Sequence, residues 1–374
     1  MATSYHVSDI LQQHLTHYQQ QHKLTEQQAL VCQHIQQCRT QTLGIQHWRC
    51  DTCQYEQQVF CSCGDRHCPR CQGRQTQAWI ATQQAQVLHC RYFHLVFTLP
   101  HELNILAHYA AKPLYSALFE SVWQTLAQFG MKRKHLQGQL GCTMVLHTWG
   151  QTLSQHIHLH CLIPGGVLTS TGDWHGVKTD YLFPVKALST VYRAKLLRAL
   201  RQHELAIPAA ETLMAKPWCV YSKACLSRAE TVVEYLGRYT RKGMLHESRI
   251  AEVTADHVSF HYKDYRDGQH QQHKQMRLSC DEFIRRYLLH VLPKGLMRVR
   301  HFGFLANACR RKKLALIQRQ LRKPQVVLVS PLVNKDCLWS CPRCQLGHLQ
   351  FIGLLRPQGL VMINSQGQPV RLSG

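Results

Sequence analysis

The chain has 374 residues and a strongly basic composition, with 44 Lys and Arg against 21 Asp and Glu and a formal net charge of +23. This excess predicts a surface that binds a polyanion, and nucleic acid is the leading partner. No stretch has the length and apolar character of a signal segment or a membrane span, so we expect a cytoplasmic protein with no membrane partner. The 18 cysteines are therefore expected in metal sites, since disulfides are rare in a reducing compartment.

The N-terminal part of the chain is predicted to be helical on both sides of a cysteine cluster. Apolar residues at helical spacing predict two helices within residues 8 to 37, and residues 72 to 87 also have helical composition. A buried strand is predicted over 92 to 98, followed by a long amphipathic helix from about 103 to 129.

The rest of the chain mixes strands and helices, and this mixture predicts an α+β fold. Strands are expected over 143 to 149 and 156 to 163, the second one ending at a Pro-Gly-Gly turn. Helices are expected over 189 to 204 and 228 to 242, then a hairpin of strands 258 to 263 and 274 to 278. A helix near 281 to 291, a basic helix over 309 to 323 and a cysteine-containing tail complete the chain.

The cysteine cluster is the most specific signal for a bound metal. Cys50-x2-Cys53 and Cys68-x2-Cys71 are two knuckles at the spacing typical of a tetrathiolate zinc site. Four thiolates leave no open position, so this zinc is expected to be structural. The residues that could complete a second site nearby are Cys38, Cys61, Cys63 and His67. The alternative is a set of free buried cysteines.

Two further features accompany this cluster. Arg66 and Arg70 interleave with the cysteines, and they are predicted either to contact the DNA backbone or to form a solvated charged surface. The tail offers another possible zinc site, whose four ligands would be Cys337, Cys341, Cys344 and His348.

The histidine run 156 to 160 predicts a second kind of metal site. Side chains two apart share one face of a strand, so His158 and His160 can hold one ion between them. Imidazole suits Mn²⁺ or Zn²⁺ better than Mg²⁺, which would need further oxygen ligands. The third ligand stays open among Gln151, His156 and Glu234. His94 and His147 are interpreted as core histidines with satisfied hydrogen bonds.

A tyrosine pair lies in the predicted helix 228 to 242. Tyr235 and Tyr239 are four residues apart, so both phenols can face one site, although core packing is the ordinary explanation for such a pair. Arg238, Arg241 and Lys242 surround them with positive charge, which favours contact with DNA and activates a phenol as a nucleophile.

Together these segments resemble the rolling-circle transposases of the IS91 group, the two-tyrosine HUH class, from about residue 10 to about residue 350. Two departures are Ile157 and Val167, where family members often have Pro and Gly. The blocks that carry the resemblance are Cys38-Arg39-Thr40 with Leu43-Gly44, Arg66-His67-Cys68-Pro69-Arg70-Cys71, Val96-Phe97-Thr98-Leu99-Pro100, Leu146-His147-Thr148-Trp149-Gly150-Gln151, His158-Leu159-His160 before Pro164-Gly165-Gly166, Tyr235-Leu236-Gly237-Arg238-Tyr239, Tyr262-Lys263-Asp264-Tyr265, and Leu292-Pro293-Lys294-Gly295 leading to Arg298-Val299-Arg300-His301-Phe302-Gly303.

The resemblance implies three regions: a helical and zinc-binding domain over 1–90, an HUH catalytic domain with a central antiparallel sheet over 91–305, and a basic helix with a cysteine tail over 306–374. It also implies that His158 and His160 hold Mg²⁺ or Mn²⁺ and that Tyr235 and Tyr239 are nucleophiles. One tyrosine would cut single-stranded DNA at an element end and keep a 5′-phosphotyrosine bond. Because that bond conserves energy for rejoining, no nucleotide cofactor is expected.

Two alternatives remain at this point. A plasmid rolling-circle replication initiator or relaxase would use the same chemistry on a different DNA. A zinc-dependent DNA-binding protein without catalysis would share the basic charge and the cysteines but form no covalent adduct.

Overall fold

The computed structural model describes residues 5–71, 86–132, 137–180, 182–225, 243–264, 272–321, 339–356, 359–363 and 369–371. It confirms the predicted α+β class, with an antiparallel sheet at the centre and helices packed against it. The predicted helices over 72 to 87 and 228 to 242 lie wholly or almost wholly outside the described residues, and Tyr235 and Tyr239 lie outside them as well.

The helices of the described part agree with most of the sequence predictions. No helix in these ranges is long and apolar enough to cross a membrane. In chain order the helices are α1 (Val7–Gln21), α2 (Glu26–Gln37), α3 (Leu106–Tyr109), α4 (Ala111–Lys132), α5 (Val185–Gln202), α6 (Ala210–Ala215), α7 (Cys280–Leu288) and α8 (Arg310–Gln320).

Within the described ranges the strands form four sheets, all with antiparallel pairing. In chain order the strands are β1 (Ile45–Cys50), β2 (Glu56–Phe60), β3 (Tyr92–Thr98), β4 (Gly141–Trp149), β5 (Gln155–Pro164), β6 (Gly166–Leu168), β7 (Trp174–Gly176), β8 (Val220–Cys225), β9 (Ile250–Val253), β10 (His257–Asp264), β11 (Gln272–Ser279), β12 (Val299–Gly303), β13 (Trp339–Ser340), β14 (His348–Arg356), β15 (Gly359–Ile363) and β16 (Pro369–Arg371).

The central sheet has the strand order β12-β4-β5-β3-β8. One face is apolar and packs on α4 and α5, where the largest buried cluster includes Phe97, Leu159, Phe119 and Tyr192. Because side chains alternate along a strand, the residues between these apolar positions face the other side of the sheet. The sheet therefore has a core face and an opposite face on which polar side chains are presented.

One predicted helix is interrupted. The sequence predicts one long helix from about 103 to 129, whereas the structure shows a 3₁₀ turn over His101–Ile105, then α3, and then α4 after a break at Ala110. Pro113 lies in the first turn of α4. In a continuous helix its ring would clash with the carbonyl group of Tyr109, four residues earlier, so the helix restarts where a proline is tolerated.

The N-terminal segments pack against segments from the C-terminal half of the chain. Helices α1 and α2 pack on the three-stranded sheet β11-β10-β9 and on α7, in a second core that contains Leu11, Ile35, Phe260 and Phe283. Strand β1 pairs with β2 on one side and with the C-terminal strand β14 on the other, with Cys50 opposite Leu349. The cysteine tail is thus a structural neighbour of the N-terminal cysteine cluster.

A substitution of Gly303, at the end of β12, tests the close packing of β12 against β4. Its φ is +63°, and a Cβ atom at this position would lie 1.7 Å from the carbonyl oxygen of Leu140. We expect Gly303→Ala to lower the free energy of unfolding by roughly 3 to 5 kcal/mol, because steric overlap adds to the cost of a left-handed backbone. Guanidinium unfolding followed by tryptophan fluorescence measures the loss.

Gly295 provides the matched control. Its φ is +79°, but a Cβ atom there would meet nothing within 4 Å. Gly295→Ala should therefore cost only about 1 to 2 kcal/mol, the backbone contribution alone. Equal losses in the two variants would contradict the close packing of β12 against β4.

Candidate metal centre

Three histidines converge on the polar face of the central sheet. In β5, Ile157, Leu159 and Cys161 belong to the apolar core, so His158 and His160 point to the opposite face. The register pairs His158 with His147 of the neighbouring strand β4. Residues directly opposite in an antiparallel pair have side chains on the same face, and His147 therefore joins the pair on β5.

The imidazoles are close enough to share one ion. One ring nitrogen from each of His147, His158 and His160 lies within 4.8 Å of the other two, and the Nε2 atoms of His158 and His160 are 3.0 Å apart. His147 is 6% exposed and His158 is 9% exposed. Three nearly buried imidazoles with nitrogen atoms turned towards a common point form a metal-binding arrangement.

Outer hydrogen bonds orient two of these rings. The Nδ1 atom of His158 lies 2.8 Å from the backbone carbonyl oxygen of His156, so Nδ1 carries the proton and donates it, which leaves the Nε2 lone pair for a metal. The Nδ1 atom of His160 lies 2.9 Å from Nε2 of His94 on β3. If His160 donates in this contact, its Nε2 is also free to bind, and His94 acts as the outer partner.

Burial keeps these imidazoles neutral. Burial, assisted by the positive form of His156 nearby, lowers the pKa of His158 to about 4. Burial, assisted by the neighbouring His158, likewise lowers the pKa of His94 to about 4. The pKa of His160 is lowered by burial and by His147 and His158 beside it. At neutral pH the rings therefore keep the lone pairs that a metal ion requires.

The donor set decides which ions fit. Among the described residues, the group consists of three imidazoles and contains no carboxylate. Mg²⁺ prefers carboxylate, carbonyl and water oxygens, whereas Mn²⁺ and Zn²⁺ accept imidazole nitrogen. The residues present thus fit a divalent ion, and between the two ions expected from the sequence they favour Mn²⁺ over Mg²⁺.

The sequence interprets His147 as a core histidine; it is indeed buried, and the geometry also makes it a candidate metal ligand. The sequence leaves Gln151, His156 and Glu234 open as the third ligand. Gln151 and His156 do not belong to the cluster, and Glu234 lies outside the described residues. His147 was missed because its partnership with His158 depends on the register of two strands, which no local pattern shows. The available signal was that both candidate strands carry a histidine among apolar residues.

An aromatic and a cationic side chain border the site. The ring of Trp149 stacks on His147 with centroids 4.7 Å apart, and the guanidinium of Arg298 lies over Trp149 at 5.4 Å from the ring centroid. A positive charge is thereby positioned beside the metal-binding imidazoles. Such a pair is suited to a phosphate group and a base of a nucleic acid.

A separate thiolate cluster lies near the N-terminal helices. The Sγ atom of Cys71 is 3.4 Å from that of Cys38 and 3.5 Å from that of Cys63, and Cys68 completes the group. These distances exceed the roughly 2 Å of a disulfide bond and approach the edge of about 3.8 Å expected for four sulfurs bound tetrahedrally to zinc. The predicted set of Cys50, Cys53, Cys68 and Cys71 is not brought together, because Cys50 and Cys53 lie elsewhere.

The neighbours of this cluster have structural contacts. His67 lies 2.9 Å from Asp65 through Nδ1, and its Nε2 accepts a hydrogen bond from the backbone N–H of Leu292, so both ring nitrogens are engaged away from the thiolates. Burial raises the pKa of Asp65, but hydrogen bonds from His67 and His34 outweigh it and hold that pKa below its ordinary range. His67 is therefore not a zinc ligand in this arrangement.

The predicted DNA-contacting arginines near the cluster also bond within the protein. Arg66 donates to the backbone carbonyls of Leu296 and Pro293, at 2.6 and 3.1 Å. Arg70 donates to the carbonyl of Cys38 at 3.2 Å. These contacts favour a structural role over the predicted contact with DNA. Arg238, Arg241 and Lys242 lie outside the described residues.

Cys50 and Cys53 lie with two cysteines of the C-terminal tail, Cys341 and Cys344, in a second group of four. The tail site predicted from the sequence is therefore not formed as expected. Cys337 lies outside the described residues, and His348 does not belong to the group.

The family assignment follows from comparisons with known proteins. Residues 10–99 match the family model described as "Transposase zinc-binding domain", and residues 141–313 match one described as "Putative transposase". The first range contains the Cys38 cluster, and the second contains the three histidines. Fold and site thus define a zinc-binding enzyme that acts on DNA.

Two relatives identify the group. The chain is 38% identical to the "Putative transposase y4qJ" of Sinorhizobium fredii, over 92% of this chain and 94% of the relative. It is 30% identical to the transposase for insertion sequence element IS801 of Pseudomonas savastanoi pv. phaseolicola, over 72% of this chain and 68% of that protein. The chain belongs to the insertion-sequence transposases of the IS91 group, as its sequence motifs predicted.

Among solved structures, the conjugative relaxase TrwC in complex with oriT DNA, in a metal-free form, matches 61% of this chain and 72% of its own. The identity is 15% and the TM-score is 0.27, so no residue is assigned from this similarity.

Metal titration of two histidine variants tests the composition of the centre. His147→Ala should weaken Mn²⁺ binding at least about 100-fold, because one of three ligands is lost, a greater loss than that of an outer partner. His156→Ala is the control. It should leave the affinity nearly unchanged, since the backbone carbonyl that orients His158 remains. Isothermal titration calorimetry measures both, and a larger effect at His156 would contradict the assignment.

Proposed function

We propose that this transposase cuts and rejoins single-stranded DNA at the ends of an insertion sequence, using Tyr235 and Tyr239 as nucleophiles beside a divalent ion held by His147, His158 and His160. The observation that carries the proposal is the cluster of three imidazoles on the polar face of the central sheet. Three imidazoles leave coordination positions on a divalent ion that water or phosphate oxygens can occupy. Such a site is suited to phosphate chemistry.

The tyrosine segment follows directly on a strand of the sheet that carries the three histidines. Strand β8 pairs with β3, which pairs with β5, so the strand that precedes the tyrosine segment belongs to the same sheet as the histidines. β8 ends at Cys225, and Tyr235 follows ten residues later in the sequence. This connection supports a site in which tyrosine oxygen and metal-binding imidazoles act on one phosphate.

The reaction is a transesterification. The phenolic oxygen of one tyrosine attacks the phosphorus atom, the bond from phosphorus to the 3′ oxygen breaks, and that oxygen takes a proton to leave as a 3′ hydroxyl. The 5′ phosphate stays bound to tyrosine. When bound, the divalent ion acts as a Lewis acid on the scissile phosphate. Arg238, Arg241 and Lys242 supply positive charge that favours the phenolate form over the phenol.

The second tyrosine gives the enzyme a second, matching reaction. Attack of a 3′ hydroxyl on a phosphotyrosine reverses the first step and restores a phosphodiester without an external energy source. With two phenols, one can retain the first DNA end while the other cuts a second strand. This exchange is what a rolling-circle transposition cycle requires.

Basic and aromatic residues provide a path for the strand. Arg298 over Trp149 lies next to His147, and the exposed side chains of Arg311, Lys312 and Arg319 project from α8. Leu314 and Ile317 bury the other side of this helix. Flexible single strands bind to such surfaces through phosphate contacts and base stacking.

A covalent-adduct assay tests the proposal. The intact protein is incubated with labelled single-stranded element ends and Mn²⁺, and the products are separated under denaturing conditions. The wild type should form a denaturant-resistant protein–DNA adduct. Tyr235→Phe and Tyr239→Phe should each alter which cut is made, and the double variant should form no adduct, because phenylalanine has no nucleophilic oxygen.

Tyr221→Phe is the matched control, since Tyr221 lies on β8 and is 51% exposed. It should retain the adduct. An adduct that persists in the double variant would overturn the tyrosine assignment. No adduct from a wild type that still binds the DNA would favour the non-catalytic DNA-binding alternative.

A further inference from the structure

The second cysteine group is built from two similar hairpins at opposite ends of the chain. β1 enters the knuckle Cys50-x2-Cys53 and β2 leaves it, while β13 enters the knuckle Cys341-x2-Cys344 and β14 leaves it. β1 and β14 pair directly, so the two knuckles face each other at one end of the six-stranded sheet.

The two knuckles share their backbone geometry. The residue after each second cysteine, Gln54 or Gln345, has a left-handed φ of 59° or 58°. The N–H of each glutamine donates to the carbonyl of the first cysteine of its knuckle, at 3.2 and 3.0 Å. A non-glycine residue rarely adopts this conformation, so its repetition at both knuckles indicates a common constraint.

The sulfur atoms are placed as metal ligands. Cys50 Sγ lies 3.7 Å from Cys344 Sγ, and Cys53 Sγ lies 3.6 Å from Cys341 Sγ. Four sulfurs around one zinc ion are expected about 3.8 Å apart, whereas a disulfide would bring two of them to about 2 Å. The spacing fits a closed tetrathiolate site.

The surrounding backbone is adapted to thiolates. The N–H groups of Thr52 and Cys53 both donate to Cys50 Sγ at 3.4 Å, and the N–H of Gly347 donates to Cys344 Sγ at 3.3 Å. Gly347 also leaves necessary space, because a Cβ atom there would lie 2.6 Å from Cys50 Sγ. Backbone donors directed at sulfur stabilise the charged ligand.

We propose that Cys50, Cys53, Cys341 and Cys344 bind a second structural zinc ion, in a zinc ribbon assembled from both ends of the chain. The site is distinct from the cluster of Cys38, Cys63, Cys68 and Cys71. The matched zinc-binding family region, 10–99, contains only half of its ligands.

The ribbon fastens the tail to the N-terminal domain. Among the described residues the core of this join is small: besides the thiolates it contains buried Leu349, and Trp48 stacks on Trp339 with centroids 4.9 Å apart. A core this small needs a metal to hold it, as in other small zinc modules. Zinc binding and docking of the tail are therefore one event.

Zinc content of full-length variants tests the shared site. C50S/C53S and C341S/C344S should each lose one zinc per chain relative to the wild type, measured by inductively coupled plasma mass spectrometry. The quadruple variant should lose the same single zinc, because all four residues serve one ion. Cys61→Ser is the matched control and should lose none, since Cys61 lies among the N-terminal cysteines but in neither group.

Two outcomes would overturn the proposal: a loss of two zinc ions from the quadruple variant, or no loss from the tail pair. Differential alkylation of the wild type tests the same proposal without relying on a variant that could misfold. As a chelator removes zinc, the four thiols should become reactive together and in step with proteolytic release of the tail. Exposure of Cys50 and Cys53 at a different chelator concentration from Cys341 and Cys344 would show separate sites.

Discussion

The register between β4 and β5 is the constraint on which the three-histidine face depends. It places His147 opposite His158 and aligns the apolar residues of both strands on the other face. A shift of one residue would turn the histidines of β5 into the core and expose Leu159. Burial of the apolar face against α4 and α5 therefore fixes the metal centre as well as the fold.

Neutral buried histidines are unfavourable unless their nitrogen atoms find partners. Here the carbonyl of His156 and the ring of His94 satisfy the outer nitrogens of His158 and His160, and the inner nitrogens converge. The same burial that stabilises the sheet lowers the pKa of His158 and His94 to about 4. The inner nitrogens of His158 and His160 are therefore available to bind a cation.

The Cys38 cluster and the loop after β2 connect the N-terminal helices to the central sheet. The Cys38 cluster joins α2 to the loop after β2, and Arg66 and His67 within that loop bond to the backbone of residues 292 to 296, just before β12. The N-terminal region is thereby attached to the segment that leads into β12, an edge strand of the central sheet. The zinc-binding region and the central sheet are therefore in direct contact.

The helices, the strands and part of the histidine site could be predicted from the sequence where they depend on residues close together in the chain. The alternation in β5 predicted His158 and His160 on one face, apolar spacing predicted α1 and α2, and Pro113 was available as a reason for the break before α4. His147 and the pairing of Cys50 with Cys344 could not be predicted, because both depend on contacts between distant segments. The sequence spacing groups Cys50 and Cys53 with Cys68 and Cys71, whereas the strand pairing of β1 with β14 brings them to Cys341 and Cys344.

The most direct test of the three-histidine centre is pulsed electron paramagnetic resonance of the Mn²⁺-loaded protein, which counts the imidazole nitrogens bound to the ion. The account predicts couplings from three nitrogens in the wild type and from two in His147→Gln. Two couplings in the wild type, or a spectrum unchanged in His147→Gln, would contradict it.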